Sequence, residues 1–185
     1  TGKENKIETL VDNNSGETEK GNIKAQYDCL AEINLSSHFN AKKTIHFPDS
    51  SNPTVSIILV FYNQAHLSLL CLESIMKHAD VSYEIIIVDN QSKDATNELL
   101  KTLKNATIIR NQENVGFVKA VNIAASHARG KYLLLLNNDA TLESEALSRA
   151  VSVFKAQKKV GAVGGKIKLL DGSLKIKFIG NDHRK

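Results

Sequence analysis

From Thr54 onward the chain alternates between two hydrophobic periods, and this alternation constrains the fold more than any other feature. The stretches "TVSIILV", "YEIIIVD", "ATIIR" and "KYLLLLN" are short continuous apolar runs, as expected of strands covered on both faces. Between them lie segments with helical spacing. These are "QAHLSLLCLESIMKH", with Leu67, Leu70, Cys71, Ser74 and Ile75 on one face, then "SKDATNELLKTLKN", with Ser92 or Asp94 as N-cap, then "GFVKAVNIAASHA" and "LESEALSRAVSVFKAQ". "VGAVGGKIKLLDGSLKIKF" reads as a strand and a hairpin turning at Asp171-Gly172. Strand and helix repeated four times predict an α/β fold, a mostly parallel sheet with helices on both faces and right-handed crossovers.

Residues 1–53 differ in kind. "TGKENKIETLVDNNSGETEKGN" is polar and without a sustained period, so it reads as a flexible N-terminal extension or linker. "IKAQYDCLAEINL" predicts a short helix with Ile23, Tyr27, Leu30, Ala31 and Ile33 as its stripe, and the domain boundary falls at Pro53, before a domain spanning 54–185. No apolar run approaches the ~18–20 residues of a membrane helix, and the N-terminus has no signal-peptide core. The chain lacks an initiator Met, as a piece of a longer protein would. Cys29 and Cys71 match no metal spacing and read as reduced thiols.

Ligands of parallel α/β sheets sit at the carboxyl ends of the strands. That rule singles out "FYN", "DNQS", "NQENVG" and "NNDA". Asn137, Asn138 and Asp139 form an oxygen-rich cluster suited to Mg²⁺ or Mn²⁺ when a ligand diphosphate supplies further oxygens; a turn or helix cap accounts for them equally well. Asp89 could accept a hydrogen bond from a nucleobase ring N–H, or cap the helix that follows. Gly116 suits close backbone approach or a positive φ, and Lys119, one turn into its helix, either reaches a phosphate or is solvated. Residues 54–185 carry 18 Lys/Arg against 12 Asp/Glu, an excess that suits a nucleotide diphosphate and equally a solvated basic surface. The dinucleotide G-x-G-x-x-G, the phosphate-binding G-x-x-x-x-G-K-[ST] and the G-x-S-x-G elbow are absent, and the six histidines show no ligand spacing.

Taken in order, "VSIILVFYNQAHLSLLCLESI", "EIIIVDNQSKDAT", "NVGFVKAVNIAASHARGKYLLLLNNDATL" and "VGAVGGKIKLLDGSLK" resemble the donor-binding half of an inverting family 2 glycosyltransferase with the Rossmann-like GT-A fold, truncated at its C-terminal end. The resemblance implies that Val60, Phe61, Tyr62 and Asn63 line the nucleobase and ribose. It implies that Asp89, with Asn90 beside it, reads the base and that Asn114 and Gly116, with the start of the next helix and Lys119, close over the nucleoside. Asn137, Asn138 and Asp139 match the D-x-D motif, with Asp139, and Asn137 beside it, holding a divalent cation (Mg²⁺ or Mn²⁺) on the diphosphate. The motif reads N-N-D here, one carboxylate fewer, which resembles a rhamnosyltransferase-like subgroup and weakens any metal site. The catalytic base is expected beyond Lys185; Asp171 and Asp182 do not match its motif.

The expected function is therefore transfer of a sugar from a UDP-, dTDP- or GDP-linked donor to a glycan or lipid-linked acceptor, in polysaccharide biosynthesis. This chain would be the donor-binding part, weakly active or inactive alone, in the cytoplasm, with peripheral membrane association only through regions outside it. The alternative is a non-catalytic nucleotide-sugar-binding module. Nucleic acid is not expected as a partner: residues 155–185 hold 9 Lys/Arg against 2 Asp/Glu, but only Phe154 and Phe178 lie near them to stack on bases.

Overall fold

The computed structural model describes residues 13–169 and 174–175, with side chains over 23–169. The central sheet has four parallel strands, β2 (Val55–Phe61), β3 (Tyr83–Asp89), β5 (Ala106–Arg110) and β6 (Tyr132–Asn137), in the order β5-β3-β2-β6. Helices α2 (Ala65–His78), α3 (Thr96–Lys101), α4 (Phe117–Ala125) and α5 (Ala146–Ala156) connect or follow them. The expected α/β architecture is thus observed. Ile57 pairs with Ile85 on one side and with Leu134 on the other, and this register brings Phe61, Asp89 and Arg110 level at the carboxyl edge.

Residue alternation along β2 and β3 divides the core. Ile57, Leu59, Phe61, Ile85 and Ile87 face Leu69, Leu72, Ile75, Leu99, Leu147 and Val151 of the helices. Ile58, Ile86 and Val88 face the other way, onto Ala120 and Ala124 of α4. Each fully buried Leu or Ile contributes roughly 1.5–3 kcal/mol of transfer free energy, so the two central strands carry much of the stability. Their runs are continuous because both faces are covered.

β6 behaves differently from the expectation of a strand buried on both faces. It is the edge of the sheet. Leu134 and Leu136 pack on the larger core, whereas Leu133 and Leu135, on the face shared with α4, are each 50% exposed. α4 packs over β2 and β3, and so leaves that face of β6 bare among the described residues.

The N-terminal region also departs from expectation. Helix α1 runs Asn13–Asn40, 28 residues, far longer than the short helix read from the sequence. Among its described side chains the buried ones are Ala31, Leu35 and His38, one face at spacings of four and three, while Ile23, Leu30 and Ile33 of the expected stripe are exposed. A two-residue strand β1 (Ile45–His46) pairs in parallel with β4 (Leu103–Lys104), and Leu35, Ile45 and Phe47 join the larger core. The compact unit accordingly spans Leu30–Gly165 and begins well before Pro53. Its polar residues are tied to α2 by Asn34 Nδ2 donating to Glu73 Oε2 at 3.0 Å and by the His66–Glu32 pair at 2.9 Å.

The second unit, described by itself, holds the antiparallel pair β7 (Ile167–Lys168) and β8 (Leu174–Lys175). The hairpin expectation fits this pairing; its turn at Asp171-Gly172 lies outside the described residues. The strand expected over "VGAVGG" is not formed: residues 160–166 carry no regular structure.

Candidate functional site at the carboxyl edge of the sheet

β2 delivers Phe61 into the core, fully buried, so its ring cannot line a ligand as the resemblance implied; only its backbone reaches the edge. Val60 is half-buried on the α4 side. Tyr62, 52% exposed, is the first side chain to face solvent. Asn63 and Gln64 then adopt φ of 59° and 60°, two left-handed residues in succession that turn the chain sharply into α2. Asn is among the non-glycine residues that tolerate this region best.

This turn is held by the next strand's loop. Asn63 N donates to Ser92 Oγ at 2.8 Å, and Lys93 N donates to Asn63 Oδ1 at 2.8 Å. Gln64, the N-cap position of α2, makes no capping bond with its side chain; Ala65 N donates instead to Asp94 Oδ2 at 2.9 Å. Asp94 Oδ1 also accepts from Thr96 N at 3.0 Å. One carboxylate therefore serves two helix starts. Desolvation would raise the Asp94 carboxyl, but the hydrogen bonds from Thr96 and Ala65 together outweigh it and hold it below the usual carboxylate range.

Asp89, buried at the end of β3, accepts from Ser92 N at 3.0 Å through Oδ1. Asn90, also buried, accepts through its Oδ1 from Asn111 Nδ2 at 2.7 Å. Backbone bonds from Asn90 N to Phe61 O and from Asn111 N to Asp89 O carry the ladder one residue past the strands. In the loop after β5, Gly116 N donates to Asn114 Oδ1 at 2.9 Å, and Gly116 opens α4 with φ 80°. Gly116 is thus at the positive φ that the sequence allowed for. Lys119 is exposed on the first turn of α4.

At the end of β6, Asn138 Nδ2 donates to Ser68 Oγ at 2.9 Å and lies 3.3 Å from Asn63 O. Asn137 and Asp139 are exposed; Asn137 aligns with Val60 and so shares its face. Cys71 is buried behind this segment. Burial, with the Asp139 charge adding, pushes its thiol up to about 12, so it stays protonated and donates weakly to Asn137 O at 3.5 Å.

Adjacent strand ends are therefore laced in order: β6 to β2 through Asn138, β2 to β3 through Asn63 with Ser92, and β3 to β5 through Asn90 with Asn111. Of the residues expected to touch a ligand, Asn63, Asn90, Asn114 and Asn138 bond to the chain itself. Tyr62, Lys119, Asn137 and Asp139 are exposed, and Asp89 is buried at the carboxyl end of β3. Ser68 and Asp94 were not expected at the edge, and Asn111, which opens the singled-out "NQENVG" stretch, was given no role of its own. Ser92, at the end of the singled-out "DNQS" stretch, and Asp94 were expected as alternatives for the N-cap of α3, which the structure places at Ala95.

Among the described residues no group of three His, Cys, Asp or Glu side chains is placed to hold a metal ion. Asp139 supplies one exposed carboxylate, with amide oxygens nearby. That donor set fits a hard cation only if it is shared with a ligand's diphosphate, as Mg²⁺ commonly is. A groove of about 420 Å³ lined by His38, Glu73 and Met76 runs along the C-terminal half of α2, away from these residues.

The fold and the edge define a GT-A-like α/β domain with a polar rim at the carboxyl ends of its strands. The family model of glycosyl transferase family 2 matches residues 56–178, and the chain belongs to that family. It is 30% identical over 124 residues to glycosyltransferase AglE of Haloferax volcanii, covering 64% of this chain and 40% of that protein. It is 32% identical over 125 residues to the poly(ribitol-phosphate) beta-glucosyltransferase of Bacillus spizizenii, covering 64% and 20%. Among solved structures, S. aureus TarS residues 1–349 matches with TM-score 0.50 and 25% identity over 56% of this chain and 32% of that one. The Pyrobaculum calidifontis mannosyltransferase PcManGT, solved with GDP-Man and Mn²⁺, matches with TM-score 0.53 and 24% identity over 77% and 47%, a likeness of fold. The chain thus spans less than half the length of these relatives.

Proposed function

We propose that this chain is the donor-binding part of a glycosyltransferase, holding a UDP-, dTDP- or GDP-linked sugar for inverting transfer to a hydroxyl of a glycan or lipid-linked acceptor. The observation that carries the reading is the placement of Tyr62, Asp89 and Asp139 at or just past the carboxyl ends of β2, β3 and β6, strand ends laced to one another, with Lys119 on the first turn of the helix that follows β5. Tyr62 offers a face for a base, and Asp89 keeps an acceptor oxygen for a ring N–H. Lys119 and the exposed first turn of α4 suit a phosphate. Asp139, beside Asn137, addresses the diphosphate. A divalent cation bound there with the diphosphate would supply neutralisation of charge on the leaving group. The N-N-D sequence favours a rhamnosyltransferase-like subgroup.

The test is calorimetric titration of the chain with UDP, GDP and dTDP, with and without Mn²⁺, repeated on Asp139→Ala. One nucleotide is expected to bind, more tightly with Mn²⁺, with the metal-linked gain lost in the variant. No binding at millimolar nucleotide would refute the donor-site reading for this chain.

A further inference from the structure

We infer that Ser68, Cys71 and Ser74 of α2 are positioning residues for Asp139, acting by clamping the segment from Asn137 to Leu142. The three sit three residues apart on one side of the helix, and each makes one bond to that segment. Ser68 Oγ accepts from Asn138 Nδ2 at 2.9 Å. Cys71 Sγ donates to Asn137 O at 3.5 Å. Ser74 Oγ accepts from Leu142 N at 2.9 Å while donating to Cys71 O at 2.7 Å, so its lone pair is aimed at the loop.

Two further contacts close the segment on itself and on the core. Ala140 N donates to Asn137 O at 3.2 Å, and the Leu142 side chain is buried in the larger core. Asp139 lies between the held points. Its side chain makes no hydrogen bond among the described residues, so its place at the edge rests on the clamped backbone that carries it. The clamp also accounts for an oddity of α2. Ser68 and Cys71 are fully buried, where aliphatic side chains would contribute more burial.

This inference rests on the role given to Asp139 above, and its test separates the two. Ser74→Ala and Ser74→Thr are made in the wild-type chain and in an Asp139→Ala background. Hydrogen exchange at the Leu142 amide is followed without ligand, and UDP, GDP and dTDP are titrated with and without Mn²⁺. Ser74→Ala is expected to speed Leu142 exchange about tenfold and to cut the Mn²⁺-linked gain in affinity by about threefold to tenfold, the range for one lost hydrogen bond. Metal-free affinity stays near wild type, Ser74→Thr restores both readouts, and Ser74→Ala adds no loss once Asp139 is gone. Unchanged Leu142 exchange, or equal losses with and without Mn²⁺ or in the Asp139→Ala background, would overturn the inference while leaving the donor site standing. A wild-type chain that binds no nucleotide overturns the donor-site reading, and the ligand half of this inference with it.

Discussion

Glu84 offers the sharpest test of how the sheet holds its edge strand. Its side chain, 7% exposed, accepts through Oε1 from Ser56 Oγ at 2.6 Å, from Arg129 N at 2.6 Å and from Gly130 N at 3.2 Å. Oε2 accepts from Arg129 Nε at 2.8 Å. This carboxylate anchors the turn that launches β6, at the opposite end of the strand from Asn137. Replacing Glu84 with Ala leaves the buried Ser56 hydroxyl and Arg129 N without their acceptor, while Gly130 N keeps its 2.8 Å bond to Ser56 Oγ. Two orphaned donors at ~1–3 kcal/mol each, partly rehydrated at this shallow site, predict a loss of about 3 kcal/mol.

The guanidinium makes a contrasting case. Arg129 is 58% exposed, and an exposed ion pair contributes at most about 1 kcal/mol. Arg129→Ala is therefore expected to cost well under half of what Glu84→Ala costs, because the backbone N–H of residue 129 survives the substitution. Urea unfolding of both variants at pH 7 measures the difference. Equal losses, or a larger loss for Arg129→Ala, would show that the ion pair and not the backbone anchoring does the holding, and the reasoning would fall.

Gly130→Ala is expected to destabilise more than either, because a Cβ there would meet Ser56 N at 2.4 Å and Val55 C at 2.8 Å, and backbone cannot yield cheaply; the urea midpoint measures this. Gly116→Ala has open space around its Cβ but retains φ 80° with ψ 165°, so the expected cost is backbone strain alone, about 1–3 kcal/mol, read by the same assay. Burial pushes the His38 imidazole below its ordinary 6.5, with Glu73 opposing and Lys43 adding to the shift. The folded state thus resists a proton that the unfolded chain accepts, so stability is full above about pH 6.5 and falls as pH drops below it; His38→Gln is expected to flatten that slope in urea midpoints between pH 8 and 5. Glu84 is held below the usual carboxylate range because its bonds from Ser56 and Arg129 outweigh desolvation, so its contribution persists lower in pH and is lost in acid as the folded carboxyl protonates; Glu84→Gln is expected to remove that acid limb.

The order of strands and helices was legible because each carries a single strong period. β2 and β3 read as continuous apolar runs, and both lie at the centre of the sheet with every residue but Val60 buried. β6 reads the same way and is half bare, since "LLLL" alone cannot say whether a neighbour covers its second face. α1 was underestimated for the opposite reason. Its polar first half has no stripe to detect, and among its described side chains the buried face is Ala31, Leu35 and His38, a pattern in which the histidine reads as polar. His38 is tolerated there because its Nε2 meets Thr102 Oγ1 at 3.2 Å, a partner 64 positions away that no local window includes.

The asparagines at the strand ends show why sequence stops short of assigning a site. An amide carries both donor and acceptor, so Asn can tie two neighbouring strand ends together or present the same groups to a ligand, and the letters are identical in both cases. Asn63 combines the two demands most tightly: left-handed backbone, Oδ1 holding Lys93 N, and its own N–H on Ser92. An aspartate there could keep the bond from Lys93 N, and one at 138 would face Asn63 O and lose the bonds that Asn138 Nδ2 donates. The amide at 138 therefore follows from the lacing, since a carboxylate in that place would set acceptor against acceptor beside a turn that the whole edge depends on. Position 137 carries no such constraint from the chain, and Asn137 Nδ2 and Oδ1 make no bond among the described residues. Of the N-N-D triplet, the middle residue is thus explained by the lacing between strands, while Asn137 and Asp139 belong to the turn closed by Ala140 N on Asn137 O, where Asn and Asp are favoured with or without a ligand.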